Sequence, residues 1–146
     1  MGIDLKPILT TCPIKSSDLS DKIIAVDAYN TIYQFLATIR GPTGDSLTNN
    51  KGEITSHLSG LFYRNINFLT ENIKLLYIFD GKPHSLKYNE IKRRKELKQE
   101  AIEKYQDALE EGRLEDAKKY SQGTVILTDK IIEQSKKILT MLGIPV

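Results

Sequence analysis

The chain has a single cysteine, Cys12, among its 146 residues. No internal disulfide can form, and this cysteine usage fits a reducing compartment. No apolar run approaches the roughly 20 residues that a membrane-spanning helix needs. The opening Met1-Gly2-Ile3-Asp4-Leu5-Lys6 is no secretory signal, and Lys6 stands where the myristoylation pattern wants Ser or Thr. Internal repeats and low-complexity segments are missing. So is excess charge: a formal net +2 does not by itself point to a nucleic acid. These absences give the expectation of a soluble intracellular protein with no membrane partner.

What is present is enough for one domain with a core, and its charge is unevenly placed. Lys87, Lys92, Arg93, Arg94, Lys95 and Lys98 face only Glu90 and Glu96 in their stretch, whereas seven acids between Gln99 and Asp116 face Lys104 and Arg113. One end of this region can meet a polyanion while the other keeps the chain soluble.

Two aspartates occupy equivalent places. Each ends a short apolar run, in Ile23-Ile24-Ala25-Val26-Asp27 and in Leu75-Leu76-Tyr77-Ile78-Phe79-Asp80. Such runs read as buried strands of a parallel sheet with the acid at the carboxyl end. Open α/β sheets bind ligands at that edge. Between the runs, Ala28 to Ile39 carries Ile32, Phe35, Leu36 and Ile39 at helical spacing. Arg40 to Gly52 is rich in Gly, Pro and Asn and reads as a loop. From about Thr55 a longer helix is predicted, with Leu58, Leu61, Phe62, Ile66 and Leu69 at helical spacing. Strand, helices and strand make a crossover between parallel neighbours.

After Asp80-Gly81-Lys82-Pro83 a charged helical stretch from about Ser85 to Tyr120 holds too few apolar residues for a buried helix, so an exposed arch or arm is expected. Ile131, Ile132, Ile138, Leu139 and Leu142 give a last amphipathic helix over about 129–142. Gly143 ends it, and Ile144-Pro145-Val146 reads as the opening of a third strand. The fold class expected is α/β, a parallel-sheet core flanked by helices, with the sequence stopping before the last strands of that fold.

In one order along the chain stand Met-Gly-Ile at 1–3, Val-Asp-Ala at 26–28, Ile-Tyr-Gln-Phe-Leu at 32–36, Thr-Ser-His-Leu-Ser-Gly-Leu-Phe-Tyr-Arg at 55–64, Phe-Asp-Gly-Lys-Pro at 79–83 and Leu-Gly-Ile-Pro at 142–145. These blocks resemble the flap endonucleases, archaeal members above all, over the amino-terminal part of that family's enzyme. The resemblance implies a PIN-like nuclease core (1–84 and 124–146) with a helical arch at about 85–123. It also implies a structure-specific 5′ flap endonuclease and 5′–3′ exonuclease of DNA replication and repair. Such an enzyme uses two Mg²⁺ ions, acts on branched DNA with a 5′ flap, and meets a sliding clamp through a carboxyl-terminal tail absent here. The compartment implied is the cytoplasm in an archaeon and the nucleus in a eukaryote. By position, the resemblance makes Asp27 and Asp80 metal ligands. It puts Lys87 and Arg94 on the scissile phosphate, Tyr33 on a base beside the cleaved bond, and Gly2 close to the active site and DNA. The family's further carboxylates match no residue of this sequence, so the chain alone is expected to be inactive.

The residues by themselves allow more than one role. Metals about 4 Å apart can activate water and stabilise a leaving oxygen, and Mg²⁺ favours carboxylates. A strand-end acid can equally cap a turn or the next helix. Lys87 and Arg94 lie two turns apart on one helix face, where cations can stabilise charge in a transition state. Arg93 and Lys95 offer salt-dependent attraction to a backbone, while Lys92 and Lys98 read as a solvated face. A tyrosine at helical spacing, such as Tyr33, also suits a core. Arg64 can touch phosphate or pair with an acid, and His57 reads as a hydrogen-bonded structural residue. No Ser/His/Asp or Cys/His nucleophile and no phosphate-cradling loop is present. Two rival classes stay open: a non-catalytic DNA-binding module, and a protein-interaction module whose charged arm docks a partner.

Overall fold

A computed structural model describes residues 6–42, 44–81 and 88–146. Strand β1 (Ile23–Asp27) leads directly into helix α1 (Ala28–Thr38). Helix α2 (Ser56–Thr70) then precedes strand β2 (Lys74–Ile78), and α3 (Tyr88–Glu110), α4 (Leu114–Ser121) and α5 (Asp129–Met141) complete the order. The strands pair in parallel, Ile23 opposite Lys74 and Asp27 opposite Ile78.

The register is pinned at the amino ends of the strands. Asp21 N donates to Asn72 O at 2.8 Å, and Asn72 Nδ2 donates to Asp21 Oδ1 at 2.7 Å. Both residues hold positive φ, 62° and 60°, which Asn and Asp tolerate better than most side chains. With this end fixed, the carboxyl ends of the strands come out level.

On the helix-covered face of the sheet, Leu75 and Tyr77 join Ile32, Phe35, Leu36, Leu61, Ile73, Ile131 and Leu139 in one buried cluster. The other face is open. Ile23 is 72% exposed and Ile78 49%. The expectation of strands buried on both faces is corrected here: among the described residues the helices cover one side, so the strands alternate. The expected third strand is not formed among the described residues, where the sheet has two strands; one bond, Tyr77 N to Pro145 O at 3.0 Å, ties the buried Ile144 segment beside β2.

Two further corrections concern the helices. The inner face of α2 is rotated from the apolar stripe: Ser56, His57, Gly60, Leu61 and Asn65 are buried, while Phe62 and Leu69 are exposed. Small and polar residues win because each finds a specific partner. A Cβ on Gly60 would lie 2.3 Å from Phe35 Cγ, so that ring occupies the space a side chain would need. Tyr77 OH donates to Asn65 Oδ1 at 2.9 Å, and His57 Nε2 lies 3.2 Å from Gln134 Oε1.

The loop expected at 40–52 is a loop, with no helix or strand among the described residues between α1 and α2, and it is tied down. Antiparallel bridges join Arg40 with Ser46 and Thr48 with Ile54, and Lys130 bonds Glu53 from the start of α5.

The charged stretch is an anchored helix pair, not a free arm. Ala108, Ala117 and Ser121 are fully buried, and a Cβ on Gly123 would meet Ala101 Cβ at 2.7 Å. Small residues bury their surface by close backbone approach, which a count of large apolar residues overlooks.

Candidate functional site

Asp27 and Asp80 come to the same edge of the sheet. Asp27 closes β1, and Asp80 stands two residues past Ile78, its register partner. Both are exposed. Asp27 is also the N-cap of α1: its Oδ1 accepts from Asn30 N at 2.9 Å, satisfying one of the unpaired donors of the first turn. The capping role and a ligand role are compatible, because the second oxygen is not used by the cap. No described residue bonds the Asp80 carboxylate.

The residue before Asp80 is held on two sides. The Phe79 ring meets Tyr29 of α1 edge-on at 5.7 Å, and Lys136 Nζ of α5 lies 4.9 Å from its centroid. Such contacts favour one ring orientation, so the chain leaves β2 in a fixed direction. No other His, Cys, Asp or Glu joins the pair in a group of three among the described residues. A cleft of about 410 Å³ beside the 40–54 segment, lined by Leu36, Arg40, Glu53 and Gln134, contains neither carboxylate.

The cations lie on other elements. Arg93, Arg94 and Lys95 are exposed on α3, as is Lys92. Lys98 departs from the solvated face expected of it. It is half-buried, and burial lowers its pKa, because it precedes Ala101, Tyr105 and Ala108 on the stripe that faces the body. Lys87 and Gly2 lie outside the described residues.

Tyr33, 41% exposed, is on the outer side of α1 and not in the core its spacing also allowed. Arg64 pairs with no acid among the described residues. Its guanidinium sits 5.0 Å from the Phe35 centroid and donates to Gln34 Oε1 at 3.3 Å. His57 is buried and bonded to Gln134, as a structural histidine should be, and burial lowers its pKa while the Gln134 bond opposes this.

One polar cluster has no counterpart in the sequence-based expectations. Arg40 Nε donates to Leu36 O and Ala37 O, and its Nη1 donates to Gly44 O. Tyr105 OH donates to Asp45 Oδ1 at 2.9 Å. Burial lowers the Arg40 pKa, with Tyr105, Asp45 and Tyr33 opposing. The available signal was the small-residue stripe, Ala101 and Ala108 flanking Tyr105 at helical spacing.

Residues 1–101 match the XPG N-terminal domain. This chain belongs to that family. Among its relatives, Flap endonuclease 1 of Nitrosopumilus maritimus is 52% identical over 145 residues, which is 99% of this chain and 43% of that protein. Flap endonuclease 1 of Pyrococcus furiosus is 47% identical over the whole of this chain and 43% of its own length. In structure, the XPG-family chain is similar to flap endonuclease-1 from Methanococcus jannaschii, with a TM-score of 0.65 and 38% identity over 98% of this chain and 45% of that one. The catalytic core of Rad2 in complex with a DNA substrate also superposes, with a TM-score of 0.60 and 29% identity over 92% of this chain and 33% of that one. The chain thus spans less than half the length of these relatives. Among the described residues, no helix is long and apolar enough to cross a membrane.

Proposed function

We propose that this chain is the amino-terminal part of a structure-specific 5′ nuclease that cuts branched DNA near the junction of a 5′ flap. The observation that carries the reading is the pair Asp27 and Asp80, exposed together at the carboxyl edge of two parallel strands. The flap endonucleases among its relatives support the same activity, and the Rad2 catalytic core that superposes on the chain is one bound to a DNA substrate.

The pair fits a hard divalent cation. Carboxylate oxygens are the donors that Mg²⁺ prefers, and an exposed edge leaves room for the waters it retains. One oxygen of Asp27 and both of Asp80 are available for it. Two carboxylates do not complete a two-ion site, so the 146 residues alone are inactive in this reading. When bound, Mg²⁺ lowers the pKa of a water and stabilises the leaving oxygen. Asp27 and Asp80 hold the cation at the sheet edge. Lys87 and Arg94 bind and orient the scissile phosphate and neutralise its growing charge. Tyr33 stacks on a base beside the cut. Arg64, Arg93, Lys95 and Gly2 contact the DNA, the cations acting on its backbone and so favouring shape over base sequence. A sliding clamp is the expected partner of a carboxyl-terminal tail in the longer protein.

The test is cleavage of an end-labelled 5′-flap DNA in Mg²⁺. The chain alone should leave the flap intact. A chimera joining residues 1–146 to the carboxyl-terminal portion of the Nitrosopumilus maritimus relative should cut at the junction. Asp80→Ala in that chimera should abolish cutting while retaining flap binding. A chimera that binds but cannot cut would favour the non-catalytic DNA-binding module.

A further inference from the structure

Helix α3 carries the basic cluster in its amino-terminal half, and its later part is tied to the body. Three contacts close on that later part. Gly123 approaches Ala101 so nearly that a Cβ would come within 2.7 Å. Ala108 is fully buried. Between them, Tyr105 reaches out to Asp45.

Asp45 is held in turn. Its neighbour Gly44 has φ of +87°, and a Cβ there would lie 3.0 Å from Lys118 Cα of α4 and 3.3 Å from Ser121 Oγ. Only a glycine suits both the backbone angle and that approach. The Gly44 carbonyl accepts from Arg40, whose Nε also takes up two carbonyls at the end of α1. The connections therefore run from α1 through Arg40 and residues 44–45 to α3. At the other end of α1 stands Asp27, its N-cap. A single short helix thus has the candidate ligand at one end and a bonded joint to the basic helix at the other.

The joint has leverage. Arg94 precedes Tyr105 by eleven residues, about three helical turns or 16 Å, which places both on one face. A small swing about Tyr105 is carried along that length to Arg94.

We infer that Tyr105 and Asp45 are positioning residues: their hydrogen bond sets the direction of α3 so that its cations are aimed relative to the Asp27–Asp80 edge. This rests on the nuclease reading for its effect on rate, though not for its effect on geometry. Neither residue need touch DNA. The bond is at the surface, so its loss should leave the fold intact and misdirect the helix.

Two measurements test this. In the 146-residue chain with Cys12→Ser, spin labels at Lys95→Cys and Lys137→Cys report the angle of α3 against α5, and Tyr105→Phe should broaden their distance distribution. In the cleaving chimera, Tyr105→Phe should slow single-turnover flap cleavage about tenfold, the scale of a modest misplacement, while DNA affinity stays within about twofold. Asp45→Ala should lose rate as well, and adding Tyr105→Phe to it should cost nothing further. An unchanged distribution, a rate within about twofold of the parent, or losses that multiply would each overturn the joint. A parent chimera that fails to cut would sink the nuclease reading instead, and the distance distribution would still decide the joint.

Discussion

Where α1, α2 and α5 meet the sheet, large side chains interlock around bonded polar groups; where α3 meets α4, alanines and a serine let two backbones close on each other. In the first interface Phe35 fills the gap at Gly60, and Tyr77 bonds Asn65 inside the core. In the second, Ala108, Ala117 and Ser121 are fully buried. Interlocked rings remove much apolar area from water, while a small-residue seam removes little per residue. The body should therefore set global stability, and the helix pair should open first.

The sharpest way to break this contrast is Gly60→Ala. Its methyl would overlap the Phe35 ring, and overpacking of this kind should lower stability by about 3 kcal/mol, read from the urea midpoint. Next is Tyr77→Phe, which removes the partner of buried Asn65 Oδ1. A loss of about 2 kcal/mol is expected for a stranded buried group, with no change in the parallel strand pairing.

A smaller effect should follow pH. Burial holds His57 below its ordinary value. Below about pH 6.5 the unfolded chain takes up a proton that the folded chain resists, so stability falls as pH drops from there toward the folded pKa. The urea midpoint should be lower at pH 5.5 than at 7.5, and His57→Gln should flatten that step. A step of equal size in the variant would assign it to other groups.

The smallest global effect is expected of Gly123→Ala. Its methyl would press on Ala101, shifting the urea midpoint by less than about 1 kcal/mol while speeding hydrogen exchange in α3 and α4. If it unfolds the whole chain as readily as Gly60→Ala, the two interfaces are one cooperative unit and the contrast fails.

The parts of this fold legible in the sequence were those governed by apolar periodicity. Both strand runs and the last helix follow from it. What periodicity could not show was pairing chemistry. Nothing in the spacing of Ser56, His57, Gly60 and Asn65 says that this face turns inward, because the reason lies in Tyr77, Phe35 and Gln134 on other elements. The anchoring of α3 was hidden for a related reason: Ala101, Tyr105 and Ala108 look weak as core, yet Gly123 closes on Ala101 and Asp45 accepts from Tyr105. At the candidate site the two aspartates were legible as a pair, and the resemblance named the cations. The Arg40–Gly44–Asp45–Tyr105 cluster was not, since a Gly- and Pro-rich stretch advertises a turn and conceals what the turn is tied to.

The cap made by Asp27 has a consequence for how variants at the two acids would compare. Alanine at 80 would take away an oxygen donor and disturb no bond among the described residues. At 27 the same change would also leave Asn30 N unpaired and loosen the start of α1, typically by about 1 kcal/mol. A tally of damaged function across both sites would then rank Asp27 above Asp80 even if a cation valued them equally. Asparagine at 27, which keeps the capping oxygen, separates the helix's need from the ion's.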